Sequence, residues 1–206
     1  MNYLAHALLA GPERDWRLGG LLGDFVKGPL PAGRGPLPES VRLGVVLHRR
    51  IDSFADAHAA FQRSRGRVSE ARRRYGGIMV DMFYDHFLAR HWAEFSDEPL
   101  ESYTAKLYAL LAERPALLPE RLREILPLMR RDDWLASYRE VAAVAFALDR
   151  MGERRLRPGN RLAGSGTELE AAYAGFERDF LEFFPDALAF AARFRERAAG
   201  GQDLPE

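Results

Sequence analysis

The chain contains no cysteine among its 206 residues. Disulfides, thiolate-held zinc, iron–sulfur clusters and cysteine nucleophiles are thereby excluded, and a metal ion would have to be held by histidine and carboxylate groups. Excess charge is missing as well. The 30 basic and 30 acidic residues cancel, so neither nucleic acid nor an anionic membrane is attracted by the molecule as a whole. Long apolar runs are also absent, since Val141 to Leu148, the longest uninterrupted one, falls far short of a bilayer span. The opening Met1-Asn2-Tyr3-Leu4-Ala5-His6 has no basic leader, and the cytoplasm is the expected location. Lysine occurs only at Lys27 and Lys106, leaving arginine, the better partner for phosphate, to carry the remaining positive charge. There is no phosphate-cradling P-loop, no Gly-x-Ser-x-Gly elbow and no His-Glu-x-x-His, so the commonest nucleotide, serine-hydrolase and zinc-protease chemistries find no support.

What is present argues for a folded helical protein. Hydrophobic residues make up 47% of the chain and aromatics 11%, enough to fill a core. The length suits one domain, so residues 1–206 are read as a single multi-helix domain. Apolar positions recur every three or four residues and no alternating run suggests a strand, which predicts an all-α fold. A short helix from Asn2 to Leu9 stops before Gly11-Pro12, and a second helix or turn carries Leu18, Leu21, Leu22, Phe25 and Val26. The stretch from Gly28 to Pro38 is rich in Pro and Gly and reads as a connector, with a mobile lid as the alternative. Ser40 is the expected cap of a long helix reaching Phe61, and a second long helix runs from Ile78 to Phe95. Further helices fit Ser102 to Glu113, Pro119 to Met129, Asp132 to Met151, Thr167 to Phe184 and Pro185 to Ala198.

Two of these helices carry chemistry. His48, Asp52 and Asp56 follow one another at intervals of four, which keeps them within an arc of about 80° on one helix face. That stripe faces either water or a polar cleft. Asp81 and Asp85 repeat the spacing, followed by His86, inside the strongly apolar run Ile78 to Leu88. Buried carboxylates are costly unless paired, hydrogen-bonded or bound to a cation, so a structural His–Asp pair and a metal site both remain open there. With His6 and Asp24, four separate segments offer imidazole or carboxylate groups. Their convergence would make a site for Mn²⁺, Fe²⁺, Mg²⁺ or Zn²⁺. Such an ion activates water and neutralises phosphate charge, which points to hydrolysis. Arg49 and Arg50 beside His48 could hold non-bridging phosphate oxygens, favouring a phosphoester substrate. Arg63, Arg65, Arg67, Arg72, Arg73 and Arg74 crowd the interval between the two helices and suit an acidic protein surface better than a duplex, unless they simply face solvent.

Asn2-Tyr3-Leu4-Ala5-His6, Gly23-Asp24-Phe25-Val26-Lys27-Gly28, His48-Arg49-Arg50-Ile51-Asp52 and Asp85-His86-Phe87-Leu88-Ala89-Arg90-His91-Trp92, with Phe183-Phe184-Pro185 later, resemble the bacterial acyl carrier protein phosphodiesterase family in order and spacing. The resemblance implies a divergent all-helical relative of the HD-domain metal-dependent phosphohydrolases. The implied reaction releases 4′-phosphopantetheine from holo-acyl carrier protein, with Mn²⁺ as the implied metal, Mg²⁺ or Fe²⁺ as alternatives, and no organic cofactor. The carrier is strongly acidic, which suits the arginine-rich interval. Carried over by residue, His6, Asp24, His48, Asp52, Asp85 and His86 lie at or next to the metal. Asp56 and Asp81 bind metal, position water or orient a ligand, Asp24 shares in catalysis, and Arg49 or Arg50 contacts the phosphodiester. Two positions depart from the pattern: Leu8 stands where some relatives would carry a second histidine, and Gly20 where asparagine is expected. The competing readings are a helical metal-dependent phosphohydrolase of a small nucleotide or phosphoester, and a non-catalytic helical protein that binds acyl carrier protein.

Overall fold

A computed structural model describes residues 2–30, 35–155 and 159–201. Among them there are helices and no strands, in agreement with the all-α expectation. In chain order the helices are α1 (Tyr3–Leu9), α2 (Arg14–Leu22), α3 (Glu39–Ala57), α4 (Ala59–Arg67), α5 (Gly76–Arg90), α6 (Trp92–Phe95), α7 (Leu100–Glu113), α8 (Glu120–Arg131), α9 (Trp134–Ser137), α10 (Val141–Arg155), α11 (Gly166–Ala171) and α12 (Tyr173–Ala199). Short 3₁₀ turns at Glu70–Tyr75 and Pro115–Leu117 join some of them. No helix among the described residues is long and apolar enough to cross a membrane.

Helix α5 lies at the centre because it is apolar on nearly every side. Met79, Val80 and all residues from Met82 to Ala89 are buried, and α1, α4, α10 and α12 pack around it. Aromatic rings fill the space between α5 and α12, with Tyr84 in edge or tilted contact with Phe180 and Phe183. Helices α2 and α3 approach closely where Gly19 faces α3. A Cβ at Gly19 would fall 2.2 Å from the Val41 carbonyl oxygen, so no side chain fits between them.

Several expected boundaries move. The helix expected to reach Phe61 ends at Ala57, because His58 is extended and its ring accepts the Ala60 N–H to start α4. Ser40 does not cap α3. Pro38 holds the N-cap position, and the Ser40 hydroxyl donates to Asp15 at 2.6 Å. The helix ending at Phe95 is broken at His91, and the one expected from Asp132 starts only at Trp134, where the left-handed Asp133 accepts from Ala136 N–H at the N-cap, and is divided between Ser137 and Val141. Pro185 does not divide α12, although a proline inside a helix costs about 3 kcal/mol. Phe180, Phe183, Phe184 and Ala187 around it are fully buried, and their packing outweighs the lost hydrogen bond. Of the Pro- and Gly-rich stretch, residues 31–34 lie outside the described residues.

Candidate metal centre

Helix α1 has no capping side chain of its own. Its first free N–H groups, at Leu4 and Ala5, donate instead to the two oxygens of Asp85 on α5, at 2.9 and 3.1 Å. This anchors α1 against the core with His6 turned toward α3. The His6 and His48 rings stack with centroids 3.6 Å apart, and both are almost fully buried. Asp52, one turn beyond His48, completes the group. Its two oxygens lie 3.1 Å from His6 Nε2 and 3.2 Å from His48 Nε2. Asp24, just after α2, approaches His48 Nε2 to 3.7 Å. The carboxylates are half exposed while the imidazoles are not, so the cluster opens to solvent on its acidic side.

The backbone sets the orientation of His48. Its Nδ1–H donates to the Gly20 carbonyl at 2.8 Å, which turns Nε2 toward both carboxylates. Gly23 makes room for the ring: a Cβ there would fall 2.1 Å from His48 Cγ. Gly20 thus contributes through its main chain. A backbone acceptor has no sequence signal, although the glycine before Asp24 could have marked the close approach.

Two stacked imidazoles cannot both hold a proton at low cost. Burial, then the charge on His48, lowers the pKa of His6 to about 4. For His48 burial acts in the same direction, but Asp24 and Asp52 overcome it and raise the pKa to about 9. Burial would raise Asp52 too, yet His48 and His6 hold it well below the ordinary carboxylate range, and Asp24 is lowered in the same way. A single positive charge on His48 therefore sits between two carboxylates. The His6 ring nitrogens are buried and complete no hydrogen bond, despite the proximity of Asp52. A neutral imidazole carries one N–H and one lone pair, and the lone pair of His6, unused by any hydrogen bond, is open to a ligand. One ligand atom each from His6, His48 and Asp52 lies within 4.8 Å of the others. This donor set suits Mn²⁺, Fe²⁺ or Zn²⁺.

The other candidates are placed differently. Both Asp85 oxygens are taken by α1, and burial raises its pKa to about 7 against the pull of those two N–H groups. His86 donates from Nδ1 to the Tyr138 carbonyl at 2.8 Å and accepts at Nε2 from the Tyr173 hydroxyl at 2.9 Å. The structure does not bring either residue into the cluster, because their bonding capacity is spent on packing. Asp56 faces outward to Arg65 at 3.0 Å. Asp81 is near the centre: burial raises its pKa, and the charges of Asp52 and Asp24 add to the effect. Arg49 donates to the Gly28 and Val26 carbonyls, both at 2.9 Å, and so ties the segment after Asp24 to α3. Arg50 is half-buried on the same helix.

The arginine-rich interval is mostly consumed within the fold. Arg63 and Arg67 pair with the buried Asp179, Arg63 also with Glu182, Arg65 with Asp56, and Arg72 with Glu168. Arg73 and Arg74 remain exposed, and no described carboxylate pairs with them.

Several known proteins are similar to this chain over most of its length. A protein of Pectobacterium atrosepticum named acyl carrier protein phosphodiesterase is 33% identical over 192 residues, covering 93% of this chain and 97% of that protein. Proteins of the same name from Serratia proteamaculans and Salmonella dublin are 34% and 36% identical, covering 91% and 94% of this chain and 96% and 98% of theirs. No solved structure matches significantly. Residues 1–187, which include every residue of the cluster, match the family described as acyl carrier protein phosphodiesterase, and the chain therefore belongs to that family.

Proposed function

We propose that the protein is a metal-dependent phosphodiesterase that hydrolyses holo-acyl carrier protein to 4′-phosphopantetheine and the apo-carrier. The observation that carries this reading is the pair of buried, hydrogen-bond-deficient ring nitrogens of His6, stacked on His48 and facing Asp52, in a chain of this family. His6, His48 and Asp52 would hold the ion, with Asp24 adjacent and Mn²⁺ as the first choice ahead of Mg²⁺ or Fe²⁺. When bound, the ion acidifies a water and neutralises phosphate charge.

The chain's own groups do the remaining work. Gly20 holds the His48 ring by its carbonyl, and Asp85 holds α1 in place. A water oxygen is added to phosphorus and the carrier's serine oxygen leaves with a proton. Asp81 is the residue assigned to supply that proton, since burial and the neighbouring carboxylates make its carboxyl easier to protonate than an ordinary one. Arg49 keeps the segment beside Asp24 ordered and Arg50 is assigned to the phosphodiester. Arg73 and Arg74 are the arginines available to an acidic carrier surface, because the other four of that interval are committed within the fold.

Intact-protein mass spectrometry of holo-acyl carrier protein, incubated with the protein and Mn²⁺, tests the reading. The expected result is loss of the whole prosthetic group, abolished by chelator and by Asp52→Asn. An unchanged carrier mass with folded, Mn²⁺-loaded protein would reject it in favour of a small phosphoester substrate.

A further inference from the structure

Helices α8, α9 and α10, with Tyr3 of α1, enclose a cavity of about 460 Å³ that no step above uses. Ile125 of α8, Trp134 of α9 and Met151 of α10 give it apolar walls. Phe146 of α10 borders it too, and at 64% exposure is the most exposed large hydrophobic residue described. Leu128, 40% exposed, is the helical neighbour of Ile125 on α8 and widens the apolar surface. An aromatic ring standing in water beside an apolar hollow has the form of an interface anchor, the residue type that dominates protein–protein contacts. The hollow is large enough to take such a ring, since benzene already enters a cavity of about 150 Å³.

The rim identifies what covers this face. Glu120, Arg121 and Glu124 of α8 and Arg150 of α10 line the same opening, and the three on α8 are exposed. Two carboxylates and two guanidinium groups leave the rim without net charge, whereas an acidic carrier or an anionic membrane selects a basic face. A two-fold axis sets a patch against its own copy. A patch of one sign then repels itself, while one with equal numbers of acids and bases can pair acid to base. Arg150 meets Glu153 of its own chain at 2.8 Å, a surface pair of little worth that exchanges readily for one across an interface.

We propose that the chain forms a two-fold dimer through this face, with Phe146 of each copy seated in the cavity of the other and the rim charges paired across the axis. Such a dimer needs nothing from the reaction proposed above.

Sedimentation velocity of the full chain from about 1 to about 100 μM tests this, a span that brackets a micromolar dissociation constant. The wild type is expected to move from one chain's mass toward twice that mass, and a monomer throughout would overturn the proposal. Phe146→Asp is expected to raise the dissociation constant by at least about a hundredfold, because symmetry removes two anchors at once. A variant that dimerises like wild type would overturn the proposal. Charge gives the sharper test. Glu120→Arg with Glu124→Arg makes the rim wholly basic, and Arg121→Glu with Arg150→Glu makes it wholly acidic. Each double variant alone is expected to stay monomeric over the same range, and an equimolar mixture of the two to recover the dimer. Dimers in either alone, or a mixture of folded variants that stays monomeric, would overturn the proposal. Circular dichroism checks that the helices of each variant are intact, and Phe146→Asp, which alters an exposed side chain, decides the matter should a rim variant unfold.

Discussion

Helix α3 offers His48 and Asp52 four residues apart, and α5 offers Asp81 and Asp85 at the same spacing with His86 beside them. In α5 the donors and acceptors of Asp85 and His86 are matched by Leu4, Ala5, Tyr138 and Tyr173. On α3 the groups meet each other and His6, a buried imidazole that completes no hydrogen bond. Residue type is the same in both places. What separates a ligand site from a structural anchor is whether the backbone has already used the lone pairs.

The contrast is sharpest if the two carboxylates are removed in turn. Asp52→Asn is expected to weaken Mn²⁺ binding by more than about a hundredfold, beyond what the loss of a supporting partner costs. Calorimetric titration checks it, and unchanged affinity would sink the α3 site. Asp85→Ala should act first on stability, and on Mn²⁺ binding only through its looser hold on α1. Two buried N–H groups lose their acceptor, which is expected to cost about 2 kcal/mol in urea unfolding.

Protonation distinguishes the regions as well. In the metal-free state His48 keeps its proton up to a pKa of about 9, and the ion must displace it. Apparent Mn²⁺ affinity should therefore rise about tenfold per pH unit from just above pH 6.5 toward pH 9, with one proton released per ion. Titrations in buffers of different ionisation enthalpy measure that release, and a flat profile would contradict it. A smaller effect is expected at α5, where Tyr173→Phe removes the donor to His86 Nε2 and should lower stability by about 1 kcal/mol without altering Mn²⁺ affinity. Smallest is the surface effect. Arg73→Glu with Arg74→Glu should slow carrier turnover by about threefold at low salt and converge with wild type as salt rises.

Much of the fold and part of the centre were legible in the sequence. Helical periodicity and the four-residue interval from His48 to Asp52 are local properties, and a chain of letters records them well. Asp85 and His86 are less legible, because their partners Leu4, Ala5 and Tyr138 lie 81, 80 and 52 residues away and act through main-chain atoms. The arginine-rich interval misleads for a related reason: Asp179 and Glu182, which absorb Arg63, and Glu168, which absorbs Arg72, come from α12 and α11. Pro185 is a local signal for a helix end, and the buried aromatic packing around it overrides that signal. The cavity beside Tyr3 has no sequence signature, being assembled from α1, α8, α9 and α10.

Gly23 has a consequence for anyone who surveys this protein by saturation mutagenesis. The hydrogen that occupies the space beside His48 can be replaced by no side chain without displacing the ring. A genetic screen for activity would consequently rank this glycine with the residues that touch the substrate. Its intolerance would report the thickness of a wall, and only a structure separates that from a role in the reaction.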